Sequence, residues 1–438
     1  MKVDLLFGQS GLTVEIPENI RVTTIHKHPM VPLENPTEAA RNALNNPTNG
    51  LPLSELARGR KSACILICDV TRPVPNGLLL PPLIEALKAG GIKPENILII
   101  VATGLHRPNE GDELREVVGS DAVFEEIRVV NHFARDREAH VDLGTTSGGI
   151  PIMIDRRFAQ ADLKIVTGLV EPHFMAGYSG GRKLVAPGVA FRDTILTFHN
   201  PRFLEHPRSA NCVIEGNPLH NAQVEIVRAV GGVLALNVAI DEERRIGFVN
   251  FGDVLTSHLE AVKFMRNHAE VMIPRRFKTI VTTAAGYPLD KTYYQTVKGM
   301  VGVLDILEPG GTVIIVGECS EGMGSRDFVA AQRLLCDVGP DRFMEIISSR
   351  PMTLIDEWQT EMLVKAVRKG KIQLYTTHLS HEDIKDIYVE TVSSVEEAII
   401  ASTAANHDRE IAVVPEGPYV IPLFAQTASK TKKHVHRD

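Results

Sequence analysis

Short, uninterrupted apolar runs recur along the chain, each followed by a stretch whose apolar residues return at helical spacing. "SACILICDV" (62–70) reads as a buried strand. "NGLLLPPLIEALKAGG" (76–91) then reads as a helix, with prolines in its first turns and glycines at its end. "NILIIVA" (96–102) and "DLKIVTGLV" (162–170) are two further apolar strands. A second series begins near residue 276 with the strand "RFKTIVTTAAG", the helix "DKTYYQTVKGMVGVLDIL" and the strand "GTVIIVGECS". It continues with the helix "DEWQTEMLVKAVRKG" and the strand "IQLYTTH". Strands without polar alternation, separated by helices, indicate parallel sheets covered on both faces.

The pattern therefore predicts an α/β protein: two α/β domains with largely parallel sheets, facing each other across a ligand cleft. The break between the two series falls at about 270–276, around "AEVMIPRR", which places the domains at 1–272 and 273–404. The late apolar run in "REIAVVPEGPYVIPLF" makes residues 405–438 a candidate to return to and complete the first domain.

Length and composition sharpen this in a few places. A chain of 438 residues exceeds one ordinary core, in keeping with two domains. A net charge of −7 argues against nucleic acid as a partner. No apolar run approaches the roughly 18 residues of a membrane span, and the N-terminus lacks the apolar core of a signal peptide, so a cytoplasmic location is expected. The basic tail "SKTKKHVHRD" is read as a solvated terminus whose histidines could at most bind metal loosely. Five cysteines make no disulfide framework. Cys64 and Cys68 lie roughly 13 Å apart along one strand, too far to share a metal, and are expected to be buried hydrophobes.

Ligands of open parallel sheets bind beyond the carboxyl ends of the strands, so the loops there are the place to look. The first such loop offers Asp69, Thr71 and Arg72, and the second offers Thr103, His106 and Arg107. The third, "EPHFMAGYSGGRK", offers Glu171, His173, Ser179 and Lys183. Each motif alone has a plain alternative: a histidine at a strand end is usually a structural hydrogen-bonder, a Gly pair is often a turn, and a lone lysine is usually solvated. Three polar loops at one sheet edge make a site. Ser179, Gly180 and Gly181 have the ingredients of an anion cradle without Walker spacing. Histidines from two loops, His106 and His173, suit acid–base chemistry on both faces of one carbon, as in racemisation or epimerisation. His199 has no nearby partner at metal-ligand spacing. His206 could be a second ligand, although a solvated histidine is the plainer reading, so any metal here needs ligands from outside the protein.

"DVTRPVP", "ATGLHRP", "EPHFMAGYSGGRKLVAPG" and "FHNPRF", in this order, resemble the nickel-pincer nucleotide-dependent lactate racemase family of 2-hydroxyacid racemases and epimerases. The resemblance continues through "YYQTVKG" and "DEWQ" and spans most of the chain. It implies a pyridinium mononucleotide that holds nickel through two sulfurs and a ring carbon, tethered to Lys183 by a thioamide, with His199 as the protein ligand to the metal. It implies His106 and His173 as the catalytic pair. Asp69, Thr71, Arg72, Ser179, Gly180 and Gly181 are expected around the cofactor, and Arg72, Tyr294, Gln295, Lys298 and Trp358 around the substrate. The implied reaction passes the α-hydrogen as hydride, and Phe174, Met175 and Trp358 are expected to exclude water. Maturation would require cofactor-synthesis enzymes. A short, lactate-like 2-hydroxy acid is the favoured substrate, with C2 epimerisation of an aldonic acid as the competitor; "GECSEGMGS" (317–325) is expected to help shape the pocket. A nicotinamide-dependent dehydrogenase is opposed by the lack of G-x-G-x-x-G after any strand. A non-catalytic nucleotide- or sugar-acid-binding protein is opposed by the histidine pair.

Overall fold

The computed structural model describes residues 1–425, so the basic tail and its histidines lie outside the described residues. The chain divides into two compact units. One comprises 29–199 and 206–267; the other comprises 1–28, 200–205 and the residues from 268 onward.

The first unit is built on a six-stranded sheet. Its order across the sheet is Ile246–Asp253, Val233–Ile240, Leu163–Leu169, Ala63–Cys68, Ile97–Ala102 and Arg128–Asn131. All neighbours are parallel except the first pair, which is antiparallel. The strands read as apolar runs because both faces are covered: Ile65, Leu66 and Ile67 are all buried. The helix Asn76–Ala89 covers one face with Leu79, Leu80, Leu83 and Leu87, whose spacing stacks them on one side. Each such leucine removed from water contributes on the order of 1.5–3 kcal/mol.

Chain order across this sheet reverses at one place. From Ala63–Cys68 the next two strands are added on one side, and Leu163–Leu169 and Val233–Ile240 on the other. The carboxyl ends of Ala63–Cys68 and Leu163–Leu169 therefore diverge into a crevice where loops leave in opposite directions. The loops beginning at Asp69 and at Val170 open there.

The second unit carries a six-stranded, wholly parallel sheet in the order Glu390–Val392, Lys371–Tyr375, Leu307–Val316, Phe277–Thr283, Glu410–Val414 and Arg21–Thr24. Two sequence expectations are corrected here. The described part of the segment after 405, up to residue 425, does not return to the first domain: Glu410–Val414 is inserted between Phe277–Thr283 and Arg21–Thr24, where its last four residues are buried. Ile421–Phe424 likewise pairs with Glu270–Ile273. Conversely, residues 1–28 do not belong with the first domain but complete the second, with Arg21–Thr24 forming the sheet edge. A central parallel strand satisfies its backbone on both sides, and the Glu410–Val414 strand finds that only between these two neighbours.

The helix expected over 290–307 is shorter, Tyr293–Gly302, and a separate turn follows at Leu304–Ile306. The 23-residue helix Arg326–Ser348 bends at Gly339, just before Pro340, where the backbone leaves helical geometry. Cys64 and Cys68 sit on one strand as expected, and burial pushes both thiols up, Cys68 to about 12. No helix among the described residues is long and apolar enough to cross a membrane.

Candidate active site

The three polar loops meet at the carboxyl edge of the first unit's sheet. Asp69 follows the Ala63–Cys68 strand and is buried. One carboxylate oxygen, Oδ2, lies 2.6 Å from His106 Nδ1; the other, Oδ1, accepts the Thr71 hydroxyl at 2.6 Å and the Thr71 N–H at 3.2 Å. Burial alone would raise the Asp69 pKa. The His106 and Thr71 hydrogen bonds outweigh it and hold the carboxyl below its usual range. A carboxylate can only accept, so His106 donates through Nδ1 and carries its lone pair on Nε2, as a general base requires. His106 is 57% exposed, while the Asp69 side chain is 7% exposed. Thus the sequence expectation for Asp69 and Thr71, a place at the cofactor, is joined by a clear structural duty: they orient and polarise His106.

Arg72 leans the other way. Its Nε lies 3.4 Å from Glu171 Oε1, and Nη1 donates to the Thr71 carbonyl. This pair joins the loop after Ala63–Cys68 to the loop after Leu163–Leu169. Arg107 instead makes a two-pronged bond with Glu113, Nη1 to Oε2 at 2.6 Å and Nη2 to Oε1 at 2.7 Å. Thr103 is buried and donates to the His132 carbonyl.

In the third loop, Pro172–His173 pairs with Gly177–Tyr178 in a tight antiparallel hairpin. His173 Nδ1 accepts the backbone N–H groups of Met175 and Ala176, both at 3.2 Å. Its Nε2 lies 3.2 Å from Lys183 Nζ. The ten-residue separation of these two side chains is closed by the hairpin and by the turn at Gly180 and Gly181, both with positive φ. Phe174 and Met175 are buried in the loop itself.

Ser179 is engaged within the loop. Its hydroxyl donates to the Leu169 carbonyl at 2.7 Å and accepts the Glu171 N–H at 3.1 Å. The glycines allow close packing: a Cβ on Gly168 would stand 2.6 Å from the Gly181 nitrogen, and one on Gly180 would stand 2.9 Å from the Leu169 carbonyl oxygen. Gly168→Ala is therefore expected to push the Gly180–Gly181 turn off its strand and destabilise the protein by about 1–3 kcal/mol. A denaturant midpoint unchanged from wild type would contradict that packing account.

Beneath the turn lies a residue that sequence reasoning left without a role. Arg182 is fully buried, donates through Nη2 to the carbonyls of Ala176 and Tyr178, and lays Nη1 3.4 Å from His258 Nδ1. His258 in turn donates to the Ser179 carbonyl at 2.8 Å. Burial lowers the Arg182 pKa to about 9, and burial together with Arg182 keeps His258 neutral. The pair fixes the loop from below. Only the adjacency of Arg182 to Lys183 hinted at it; His258 is 76 residues away and carried no signal.

His199 caps the helix Arg192–Phe198. Its Nδ1 donates to the Ile195 carbonyl at 2.9 Å, which leaves the lone pair on Nε2. Burial drives its pKa down to about 3, so the ring is neutral at physiological pH. A buried, neutral imidazole with a fixed tautomer is a competent ligand for a borderline metal. Among the described residues no group of three His, Cys, Asp or Glu side chains could hold a metal. The donor set thus fits a metal that arrives with its other ligands already in place, as in a pincer nucleotide.

Tyr294, Gln295, Lys298 and Trp358 stand on the second unit. The first three lie on the helix Tyr293–Gly302, with Thr292 as its N-cap, and Lys298 shares a face with Tyr294 and Gln295. Trp358 is nearly buried and its indole N–H donates to the Tyr294 hydroxyl at 3.3 Å. The buried Gln295 Oε1 has no partner among the described residues. The 317–325 loop is tied to the start of this helix: the N–H groups of Tyr293 and Tyr294 donate to the carbonyls of Gly322 and Met323.

Known proteins resemble the chain over most of its length. Residues 7–211 match the profile of the lactate racemase N-terminal domain, and 274–422 that of the lactate racemase C-terminal domain. A lactate racemase of Thermoanaerobacterium thermosaccharolyticum is 32% identical over 425 residues, covering 96% of this chain and 98% of that protein. A lactate racemase of Lactiplantibacillus plantarum is 32% identical over 390 residues, covering 88% and 90%. The solved lactate racemase apoprotein from T. thermosaccharolyticum superimposes with a TM-score of 0.88 at 30% identity, over 96% of this chain and 100% of that one. A Thermotoga maritima protein shares the fold, with a TM-score of 0.68 at 17% identity over 91% of this chain and 100% of its own.

Proposed function

Because the chain belongs to the lactate racemase family, and is thereby an isomerase, we propose that it interconverts the enantiomers of a short 2-hydroxy acid, with lactate foremost. The observation that carries this reading is the pairing of two differently held histidines, His106 on Asp69 and His173 beside Lys183, at the reversal point of one sheet. A nickel-pincer nucleotide joined to Lys183 as a thioamide, with His199 Nε2 as the protein's ligand to nickel, would supply a reversible hydride acceptor next to that pair.

The residues of the chain do the rest. His106 Nε2 takes the hydroxyl proton of one enantiomer, and Asp69 stabilises the imidazolium that forms. His173 serves the opposite face. Arg72 binds the substrate carboxylate and gives up its contact with Glu171 to do so. For Tyr294, Gln295, Lys298 and Trp358 the assignment to substrate rests on the family resemblance. Holding the planar 2-oxo acid while it turns over depends on contacts such as the one Arg72 makes. Removing the α-hydrogen as a proton would leave a carbanion beside a carboxylate, which an imidazole base drives poorly; a hydride acceptor avoids it. Loading of Lys183 depends on enzymes that build the nucleotide.

Racemisation of substrate deuterated at Cα is expected to retain the label in both enantiomers. Wash-out of deuterium into solvent at the rate of racemisation would refute hydride transfer. A panel of enantiopure 2-hydroxy acids, from lactate through longer chains to aldonic acids, identifies the substrate by kcat/KM.

A further inference from the structure

His173 and His106 are held in opposite senses, and the difference bears on Lys183. At His106 the Nδ1–H donates to a carboxylate. At His173 it is Nδ1 that accepts, from two backbone N–H groups. Backbone amides are donors only, so Nδ1 has no proton and the ring carries it on Nε2. That Nε2–H faces Lys183 Nζ at 3.2 Å. An ammonium has three donors and no lone pair, so it cannot accept this hydrogen bond; a neutral amine can.

The surroundings agree. The neighbouring residue Arg182 is a buried cation, which disfavours a second positive charge nearby. Arg72 is matched by Glu171.

We propose that, before the cofactor is attached, His173 donates its Nε2–H to the Lys183 amine and so favours the neutral form of that lysine, ready to act as the nucleophile of its own modification. This inference rests on the reading of Lys183 as the cofactor tether. A neutral hydrogen bond of this kind contributes only about 0.5–1.5 kcal/mol net, so the amine leaves it readily to attack. Attachment forms a bond from Nζ to a thiocarboxylic acid carbon and breaks the carbon–oxygen bond there. The amine gives up one hydrogen, the acid gives up the other, the oxygen leaves as water and the sulfur stays as the thioamide. Nothing is oxidised or reduced. A thioamide nitrogen has no basic lone pair, so once the bond is made His173 loses its acceptor and becomes available to substrate. The same Nε2–H then serves loading first and is offered to the substrate oxygen afterwards.

The test uses the full chain produced in a host without the cofactor-synthesis enzymes, treated with limiting acetic anhydride at pH 7 and read by peptide mass spectrometry. An exposed lysine is neutral only about once in 10³ at that pH. Lys183, although half-buried, is expected to be acetylated ahead of the exposed Lys2 and Lys93. In His173→Phe its rate should fall about two- to tenfold, the fold-change that corresponds to the lost hydrogen bond, while Lys2 and Lys93 keep theirs as controls for reagent dose and an unchanged circular dichroism spectrum reports an intact fold. A Lys183 rate equal to or above wild type in that variant overturns the proposal. Nitrogen-15 NMR of the unmodified wild-type protein gives an independent reading: a proton on Nε2 of His173 supports it, and a proton on Nδ1 ends it. If protein from the native host carries no adduct at Lys183, the tether reading itself has failed, which these two measurements do not address.

Discussion

Lys183→Arg protein, isolated from the native host, is expected to be folded, free of any covalent adduct, lacking stoichiometric nickel and devoid of racemisation. Arginine has an unbranched stem like that of lysine, and the Gly181–Leu184 turn rests on its backbone geometry and its packing on Gly168, so the turn should persist. Its guanidinium is protonated at every physiological pH and cannot act as the nucleophile that forms a thioamide. The expected loss is the whole of the chemical acceleration, at least about 10⁶-fold. Intact mass and metal content of wild type and variant, purified side by side, check the assignment. Wild-type protein with full activity and no added mass at Lys183 would remove the basis for the tether.

His106→Ala is expected to lower kcat by about 10²–10⁴-fold, the span assigned to a positioned general base. Asp69→Asn tests how that base is prepared. The amide can still accept from Nδ1, but it carries no charge to stabilise an imidazolium, so kcat should fall with little change in KM. A drop confined to KM would mean that Asp69 acts on substrate binding instead. The same variant has a signature in stability. The Asp69 pKa in the folded protein lies below the ordinary aspartate value of about 3.9, because its bonds to His106 and Thr71 outweigh burial. Its contribution is therefore complete above that ordinary value and is lost as pH falls through the lower folded-state value. The stability gap between wild type and Asp69→Asn should accordingly be full at neutral pH and shrink on acidification below about pH 4.

The sheet strands were legible because each is defined locally. Residues such as Ile65, Leu66 and Ile67 lie in one run, and a strand buried on both faces shows no polar alternation. The loops that bear Asp69, His106, His173 and Lys183 were legible for a related reason: each follows such a run directly, and parallel strands deliver their carboxyl ends to one edge. Domain membership was not legible. Arg21–Thr24 is short and half exposed, with no pattern to distinguish an edge strand of one sheet from that of another, and it joins Glu410–Val414 across almost the whole chain.

Within the site the limit falls between residue type and hydrogen-bond role. Sequence alone determined that two histidines, a lysine and a glycine turn belong to loops at one edge of a parallel sheet, and family resemblance assigned them tasks. Tertiary structure alone decided that Asp69 serves His106, that the Ser179 hydroxyl is spent inside its own loop, and that Arg182 and His258 brace the turn from below. It also decided which nitrogen of each ring carries the proton: Nδ1 at His106 and His199, Nε2 at His173. The physical reason is that an apolar run is written in consecutive residues and needs only burial to act. The tautomer of an imidazole is set by whichever donor or acceptor the fold places within about 3 Å of each nitrogen. For His106 that partner is 37 positions away, and for His258 it is 79.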